Sequence, residues 1–230
     1  MKKIAILQSN YIPWKGYFDL INMVDEFVLY DDMQYTRRDW RNRNKIQTPS
    51  GLKWLSIPVE AKGKYHQKIN ETIVSDTSWS VKHWQTIKQF YSKAPFFKEY
   101  KSAFEEVYLN NSESQLSQIN YKFILLINEI LGIKTKISWS SDFELVDGQT
   151  EKLLGICQQA GADIYLSGPA AKGYFDEAIS EEMGISVEWM DYSGYSVYGQ
   201  LHNPFEHGVT ILDLIFNEGP NSTKFMKSFK

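Results

Sequence analysis

The chain has 230 residues, of which 43% are hydrophobic and 15% aromatic, so it contains enough apolar material for a sizeable core and is not a disordered protein. Its net charge of -3 and pI near 5.9 leave no global positive field, which excludes non-specific nucleic-acid binding. The single cysteine, Cys157, excludes a disulfide or a multi-cysteine zinc site within one chain.

The first predicted elements form a βαβ unit. Ile4 to Leu7 is a short apolar strand, a helix is expected from about Trp14, and Glu26 to Tyr30 is the next strand. The first apolar run stops at Gln8, far short of a signal-peptide core, and no later run is long enough to span a bilayer. We therefore expect a cytoplasmic protein without membrane insertion.

The middle of the chain has a different pattern. Residues 37–60 contain Thr48-Pro-Ser-Gly51 between segments suited to strands, which predicts a β-hairpin. Residues 77–133 are predicted to form a helical insertion. Within it, Ser112 and Gln115 have the spacing of a capping box, and Gly132 stands where a helix often ends.

The C-terminal part returns to alternating strands and helices. We predict strands at Thr135 to Trp139, Asp163 to Leu166 and Ile185 to Met190, with a helix from a Thr150 cap to Gly161. The fold class is therefore α/β, with a doubly wound, mainly parallel sheet. Residues 1–230 are expected to form one domain that carries the hairpin and the helical insertion.

Arginine occurs only at four positions within seven residues, whereas the other 21 basic residues are scattered lysines. A guanidinium grips phosphate or carboxylate through two hydrogen bonds, which a lysine does not do. This window also follows a predicted parallel strand, at the edge where α/β proteins place ligands. We expect an anion-binding site here, formed by Arg37, Arg38, Arg41 and Arg43 with Asn42 and Asn44. The alternative is a solvated loop paired internally through Asp39.

The first strand-to-helix turn leads to the same edge. Gln8, Asn10, Tyr11 and Lys15 are the candidate substrate-binding residues there, because helix N-termini attract phosphate. Trp14-Lys-Gly-Tyr17 partly matches the His-x-Gly-His signature of nucleotidyltransferases, but both histidines are absent.

A second turn, Leu166 to Tyr174, is rich in small residues whose amides suit a phosphate or a sugar. Ser167, Gly168 and Lys172 are its candidate ligand-binding residues, although the turn lacks the P-loop pattern and also fits an ordinary turn. Loop aromatics such as Trp14 and Trp40 are candidates for stacking on a base or a sugar ring.

Three residues are candidates for proton transfer. Asp31 ends the second strand, His207 lies in a loop beside Glu206, and His83 begins an aromatic helix where a core role is the default. No histidine pair has helical metal-ligand spacing, so we predict no metal site and name no cofactor.

Several uncommon segments in order make the chain similar to the WbqC-like family of bacterial proteins. They begin with Gln8-Ser-Asn-Tyr-Ile-Pro-Trp-Lys-Gly-Tyr-Phe-Asp19, with Ser9 where the family usually has proline. The others are Arg38-Asp-Trp-Arg-Asn-Arg-Asn44, Trp54-Leu-Ser-Ile-Pro-Val59, His83-Trp84, Lys93-Ala-Pro-Phe-Phe97, Leu166-Ser-Gly-Pro-Ala170 and Ile211-Leu-Asp-Leu-Ile-Phe-Asn217. The resemblance implies a role in O-antigen or other surface-polysaccharide biosynthesis, and hence a nucleotide-linked sugar as the small-molecule substrate.

Three functions fit these observations. The first is a transferase that modifies a nucleotide-activated deoxy or amino sugar. The second is a nucleotidyltransferase or ATP-dependent ligase, suggested by Trp14-Lys-Gly-Tyr17. The third is a non-catalytic sugar-binding or scaffold protein that uses the loop aromatics.

Overall fold

A computed structural model describes residues 1–110 and 112–229, so Asn111 and Lys230 lie outside the described residues. The main sheet has five parallel strands: β1 (Lys3–Leu7), β2 (Glu26–Leu29), β5 (Lys136–Trp139), β6 (Ile164–Ser167) and β7 (Ser186–Trp189). Their spatial order is β5-β2-β1-β6-β7, and all neighbouring pairs are parallel. The predicted α/β fold with a parallel sheet is confirmed.

Helices cover both faces of this sheet, as a doubly wound fold requires. Along β1, Ala5 packs into a core with α1 (Lys15–Asn22) and α7 (Ile211–Glu218), whereas Ile4 and Ile6 pack into a second core on the other face. That second core includes residues of α5 (Thr150–Gln159) and α6 (Glu177–Glu182). Side chains that alternate along a strand between two buried faces explain why the strands are apolar throughout.

The predicted limits of the sheet strands differ from the structure by one residue at several ends. Thr135, for example, precedes β5, because its hydroxyl donates hydrogen bonds to the carbonyl groups of Ile21 (2.8 Å) and Val24 (3.1 Å). Those carbonyls belong to the end of α1 and the turn that follows it. The residue therefore secures a helix terminus instead of pairing in the sheet.

The predicted hairpin is the antiparallel pair β3 (Arg43–Thr48) and β4 (Gly51–Ser56). Its turn needs Gly51, whose φ of 99° lies in the region that favours glycine. The segment predicted as helical contains α2 (Trp79–Tyr91), α3 (Phe97–Leu109) and α4 (Leu116–Leu131). These helices pack on the same core as α1 and α7.

The capping box predicted for α4 is wrong, although Gly132 ends this helix as expected with a φ of 74°. The N-cap is Gln115, which makes no side-chain capping bond. Its backbone forms an antiparallel bridge with Ile73, and the amide of Leu116 donates to the carbonyl of Thr72 at 2.9 Å. The backbone of Thr72 and Ile73 thus pairs with backbone groups at the start of α4, so a side-chain cap from Ser112 is not needed.

Within residues 1–110 and 112–229, none of the helices combines the length and the apolar character that crossing a membrane requires.

Candidate functional site

A cavity opens at the carboxyl ends of β1 and β6, where the strand order reverses. Successive strands run outward from β1 in one direction and from β6 in the other, so the connections diverge and leave a crevice. This cavity, which we call the switch-point cavity, has a volume of about 460 Å³. Its lining consists of Ile6, Leu7, Gln8, Tyr30, Met33, Arg41, Gly148, Gln149, Lys152, Leu153, Tyr165, Ser167, Gly168, Ala170, Ala171 and Tyr174.

One wall of the switch-point cavity is the N-terminus of α5. Gly148 and Gln149 precede the helix, and Lys152 lies in its first turn. The φ of Gly148 is 95°, a conformation that L side chains rarely adopt. The helix terminus and Lys152 favour an anion, whereas the carboxylate of Glu151 in the same turn opposes it. The sequence predicts this helix but does not indicate that its N-terminus belongs to the site, because only the sheet topology brings residue 148 to the same cavity as residue 8.

Arg41 is the arginine of the window that lines this cavity. Its Nη2 donates to Oε1 of Gln8 at 3.1 Å, its Nη1 donates to Oδ1 of Asn10, and its side chain is 13% exposed. Asp39 forms an ion pair with the same guanidinium at 3.6 Å. Gln8 and Asn10, both in the first turn, thus hold this guanidinium at the carboxyl end of the sheet.

The other three arginines lie elsewhere. Arg37 is exposed and donates to the carbonyl of Ala61, and Arg38 is exposed with a φ of 60°. The guanidinium carbon of Arg43 lies 4.1 Å from the ring centre of Trp54. None of the three lines the switch-point cavity: Arg37 and Arg38 are exposed, and Arg43 is half-buried.

Tyr11 and His83, two further candidates, are buried together in the core. The hydroxyl of Tyr11 lies 2.9 Å from Nδ1 of His83 and 2.7 Å from the hydroxyl of Tyr108. Burial lowers the pKa of His83 to about 4, so its ring is neutral at pH 7. Neither residue reaches the switch-point cavity, and this placement corresponds to the core role that is the default for such a histidine.

Asp31 holds the first turn in place. Its carboxylate accepts from the amide (2.8 Å) and the hydroxyl (2.7 Å) of Ser9, and burial raises its pKa. Asn120 of α4 donates both to Oγ of Ser9 (3.0 Å) and to the carbonyl of Arg41 (2.9 Å). Helix α4 therefore positions the turn and the arginine together. No sequence pattern singled out Asn120, because its two partners are distant in the chain.

The two asparagines of the window have structural bonds. Asn42 donates from Nδ2 to the carbonyl of Ile57 at 2.8 Å, and Asn44 donates to the carbonyl of Ile12 at 2.8 Å. These bonds fasten the arginine segment to its surroundings. Asn44 also lines a second cavity.

That second cavity, which we call the indole cavity, has a volume of about 320 Å³. It is lined by Asn10, Pro13, Trp14, Trp40, Asn44, His207 and Gly208. The ring of Trp14 packs against Tyr192 and Tyr195, and the ring of Trp40 packs against Trp54. Aromatic neighbours thus fix both indoles.

The segment Trp14-Lys-Gly-Tyr17 has a steric explanation in this wall. A Cβ at position 16 would lie 2.7 Å from Cε2 of Trp14, a separation that real Cβ atoms do not show. Glycine therefore gives the indole room to fold over the first turn of α1. This account of the glycine does not involve a nucleotide.

His207 and Lys15 are electrostatic neighbours beside the indole cavity. Burial lowers the pKa of Lys15 to about 8; its Nζ donates to the carbonyl of Ser196 at 3.3 Å and faces the rings of Tyr195 and Tyr198. Burial and the charge of Lys15 lower the pKa of His207, whereas Glu206 opposes the shift. Nδ1 of His207 is buried and has no hydrogen-bond partner among the described residues. The residue nevertheless lines the indole cavity, and a neutral imidazole at a cavity suits proton transfer.

The second turn contributes Ser167 and Gly168 to the switch-point cavity. The hydroxyl of Ser167 donates to that of Tyr165 at 3.1 Å. Lys172 does not line the cavity, because its ammonium lies over the ring of Trp189, 5.4 Å from the centroid. Across residues 1–110 and 112–229, no group of three His, Cys, Asp or Glu side chains is arranged to hold a metal ion.

Comparison with known proteins places these features in a family. The chain is 50% identical over 227 residues to "Uncharacterized protein Rv1507c" of Mycobacterium tuberculosis (strain ATCC 25618 / H37Rv), a match that covers 99% of this chain and 98% of that protein. No solved structure is significantly similar. The model of the WbqC-like protein family matches residues 8–225, which include the lining of the indole cavity and that of the switch-point cavity except Ile6 and Leu7. The chain therefore belongs to the WbqC-like protein family.

Proposed function

We propose that this protein is a cytoplasmic transferase that modifies a nucleotide-linked deoxy or amino sugar in surface-polysaccharide biosynthesis. The observation that carries the proposal is the switch-point cavity, which combines a pre-oriented guanidinium, the N-terminus of α5 and Lys152. All three favour a phosphate or pyrophosphate. Membership of the WbqC-like family supports a biosynthetic role.

The lining of this cavity also suits the nucleoside part of such a substrate. Tyr30, Tyr165 and Tyr174 contribute aromatic surface, and Ser167 and Gly168 contribute polar groups at the end of β6. Ligand sites commonly combine aromatic walls with a few polar groups that fix orientation.

His207 is the proposed general base. A hydroxyl or amine of the sugar forms a bond to the acyl carbon or phosphorus of a donor, and its proton passes to the imidazole of His207. The bond between the transferred group and the donor's leaving group breaks, and the leaving group departs with the electron pair. The lowered pKa of His207 keeps the ring neutral, and therefore able to accept a proton, at pH 7.

Titration calorimetry tests the binding step. The folded protein is titrated with UDP, dTDP and GDP and with their sugar derivatives, and the titrations are repeated with Arg41→Lys and with Arg38→Lys as the matched control. We expect binding that Arg41→Lys weakens and Arg38→Lys leaves unchanged. Mass spectrometry then detects turnover with acyl, aminoacyl and nucleotidyl donors. A folded protein that binds none of these nucleotides would contradict the proposal.

A further inference from the structure

The indole cavity and the switch-point cavity meet at one hydrogen-bonded pair. Arg41 lines the switch-point cavity, Asn10 lines the indole cavity, and the guanidinium of Arg41 donates to the carboxamide of Asn10. The backbone connects them as well, since the amide of Tyr11 donates to the carbonyl of Trp40 at 3.0 Å. A ligand held at Arg41 by its phosphates therefore has a second, differently built cavity directly beside it.

The indole cavity has the composition of a ring-binding site. Its lining combines two indoles and a proline with the carboxamides of Asn10 and Asn44 and the imidazole of His207. Aromatic faces pack against the C–H surface of a sugar ring, and a small number of polar groups fixes its orientation. Among the described residues, this lining contains no arginine and no lysine, the side chains that most often bind a phosphate.

Both indoles are preorganised for such packing. Trp14 folds over Gly16 and is supported by two tyrosines, and Trp40 is supported by Trp54. Trp40 is nevertheless 41% exposed, so its ring is accessible to a ligand. A wall that is fixed before binding loses little side-chain freedom when the ligand arrives.

We propose that the indole cavity binds the sugar ring of the substrate, packed against Trp40 and Trp14, while the switch-point cavity holds the nucleotide. This inference deepens the proposed function and rests on it for the identity of the ligand. It places the reacting hydroxyl or amine next to the imidazole of His207, which belongs to the lining of the indole cavity.

The experiment compares pairs of probes that differ only in the sugar: UDP with UDP-N-acetylglucosamine, and dTDP with dTDP-glucose. Trp40→Ala should lower the affinity for the sugar-bearing probe by about 10-fold and leave that for the diphosphate unchanged. The loss of affinity for the sugar-bearing probe should be smaller in Trp40→Phe than in Trp40→Ala. Trp189→Phe, which changes an indole outside both cavity linings, is the matched control, and thermal unfolding verifies that each variant is folded.

The outcomes separate this inference from the proposed function. Equal losses for both members of each pair, or no loss for either, would overturn the assignment of the sugar to the indole cavity. If wild-type protein binds no nucleotide, the proposed function fails. Saturation-transfer NMR with methyl glycosides then tests independently whether the indole cavity binds a sugar ring. Glycoside binding that Trp40→Ala abolishes would support a sugar subsite, whereas absence of glycoside binding would overturn it too.

Discussion

Nη2 of Arg41 donates to Oε1 of Gln8 at 3.1 Å, which ties the arginine segment to the first residue after β1. The contact orients the guanidinium at the point where the strand order reverses. It also explains how one arginine of the window differs from its neighbours. Arg37 and Arg38 occupy the exposed surface, whereas Arg41 is held by two turn residues at a cavity.

The first prediction concerns this guanidinium. Arg41→Lys should weaken binding of a nucleoside diphosphate by roughly 10- to 150-fold, because a charge-assisted bidentate contact in a partly desolvated site is worth about 1.5 to 3 kcal/mol. The melting temperature should fall only modestly, because lysine keeps the charge beside Asp39 but does not reproduce both hydrogen bonds to Gln8 and Asn10. Calorimetry and thermal unfolding measure the two quantities. Equal affinities for wild type, Arg41→Lys and the exposed control Arg37→Lys would show that the guanidinium does not bind the anion.

The second prediction concerns the core placement of Tyr11. Tyr11→Phe removes a hydroxyl that lies between His83 and Tyr108, so two buried polar groups lose their partner. The free energy of unfolding should fall by about 1 to 3 kcal/mol, without a change in ligand affinity. Denaturant unfolding tests this, with the exposed Tyr65→Phe as control. An unchanged free energy of unfolding combined with weaker ligand binding would show that Tyr11 belongs to the substrate site and not to the core network.

Spacing and composition located the five sheet strands and the turn at Gln8, because apolar runs between loops are visible in the chain itself. They did not distinguish Arg41 from Arg38, since that difference depends on the path of a loop in which Arg38 has a φ of 60°. The contributions of Gly148 and Asn120 were likewise hidden. Asn120 bonds to Ser9 and Arg41, which are 111 and 79 positions away, and Gly148 shares the cavity lining with Gln8 only because of the sheet topology.

The third prediction is a pH dependence of stability. Burial alone would raise the pKa of Glu26, but hydrogen bonds from Lys136, Lys2 and Ser138 outweigh it and lower the pKa to about 2. A carboxylate with a lowered folded-state pKa stabilises the protein above its unfolded pKa, and this contribution is lost as the pH falls. The loss should run from about pH 4.5 to pH 2 and amount to at most about 3 kcal/mol.

Denaturant unfolding of wild type and Glu26→Gln across this range measures the contribution. The variant should be less stable than wild type at pH 6, and the difference should shrink as the pH approaches 2. A difference that stays constant with pH would mean that the lysines near Glu26 do not stabilise its charged form.

The fourth prediction concerns His207 and rests on the proposed transfer reaction. Because burial and Lys15 lower the pKa of His207, the acidic limb of kcat/KM should lie below pH 6.5, and activity should rise as the ring loses its proton. His207→Gln should reduce kcat/KM by roughly 100- to 10,000-fold and abolish this limb. His202→Gln is the control, because His202 lines neither cavity. If the acidic limb of the kcat/KM profile persists in His207→Gln, it reports the titration of a different group.

The last prediction tests why glycine stands at position 16. Gly16 lies inside α1, where alanine normally stabilises a helix by about 1 kcal/mol relative to glycine. Here the added methyl group would collide with the indole of Trp14, so Gly16→Ala should instead destabilise the protein, by roughly 1 to 3 kcal/mol. Trp14→Ala removes the obstacle, and Gly16→Ala in that background should be neutral or stabilising. A double-mutant cycle followed by denaturant unfolding gives the coupling between the two positions. Additive effects would mean that the indole does not rest on Gly16, and the wall of the indole cavity would then have to be built differently.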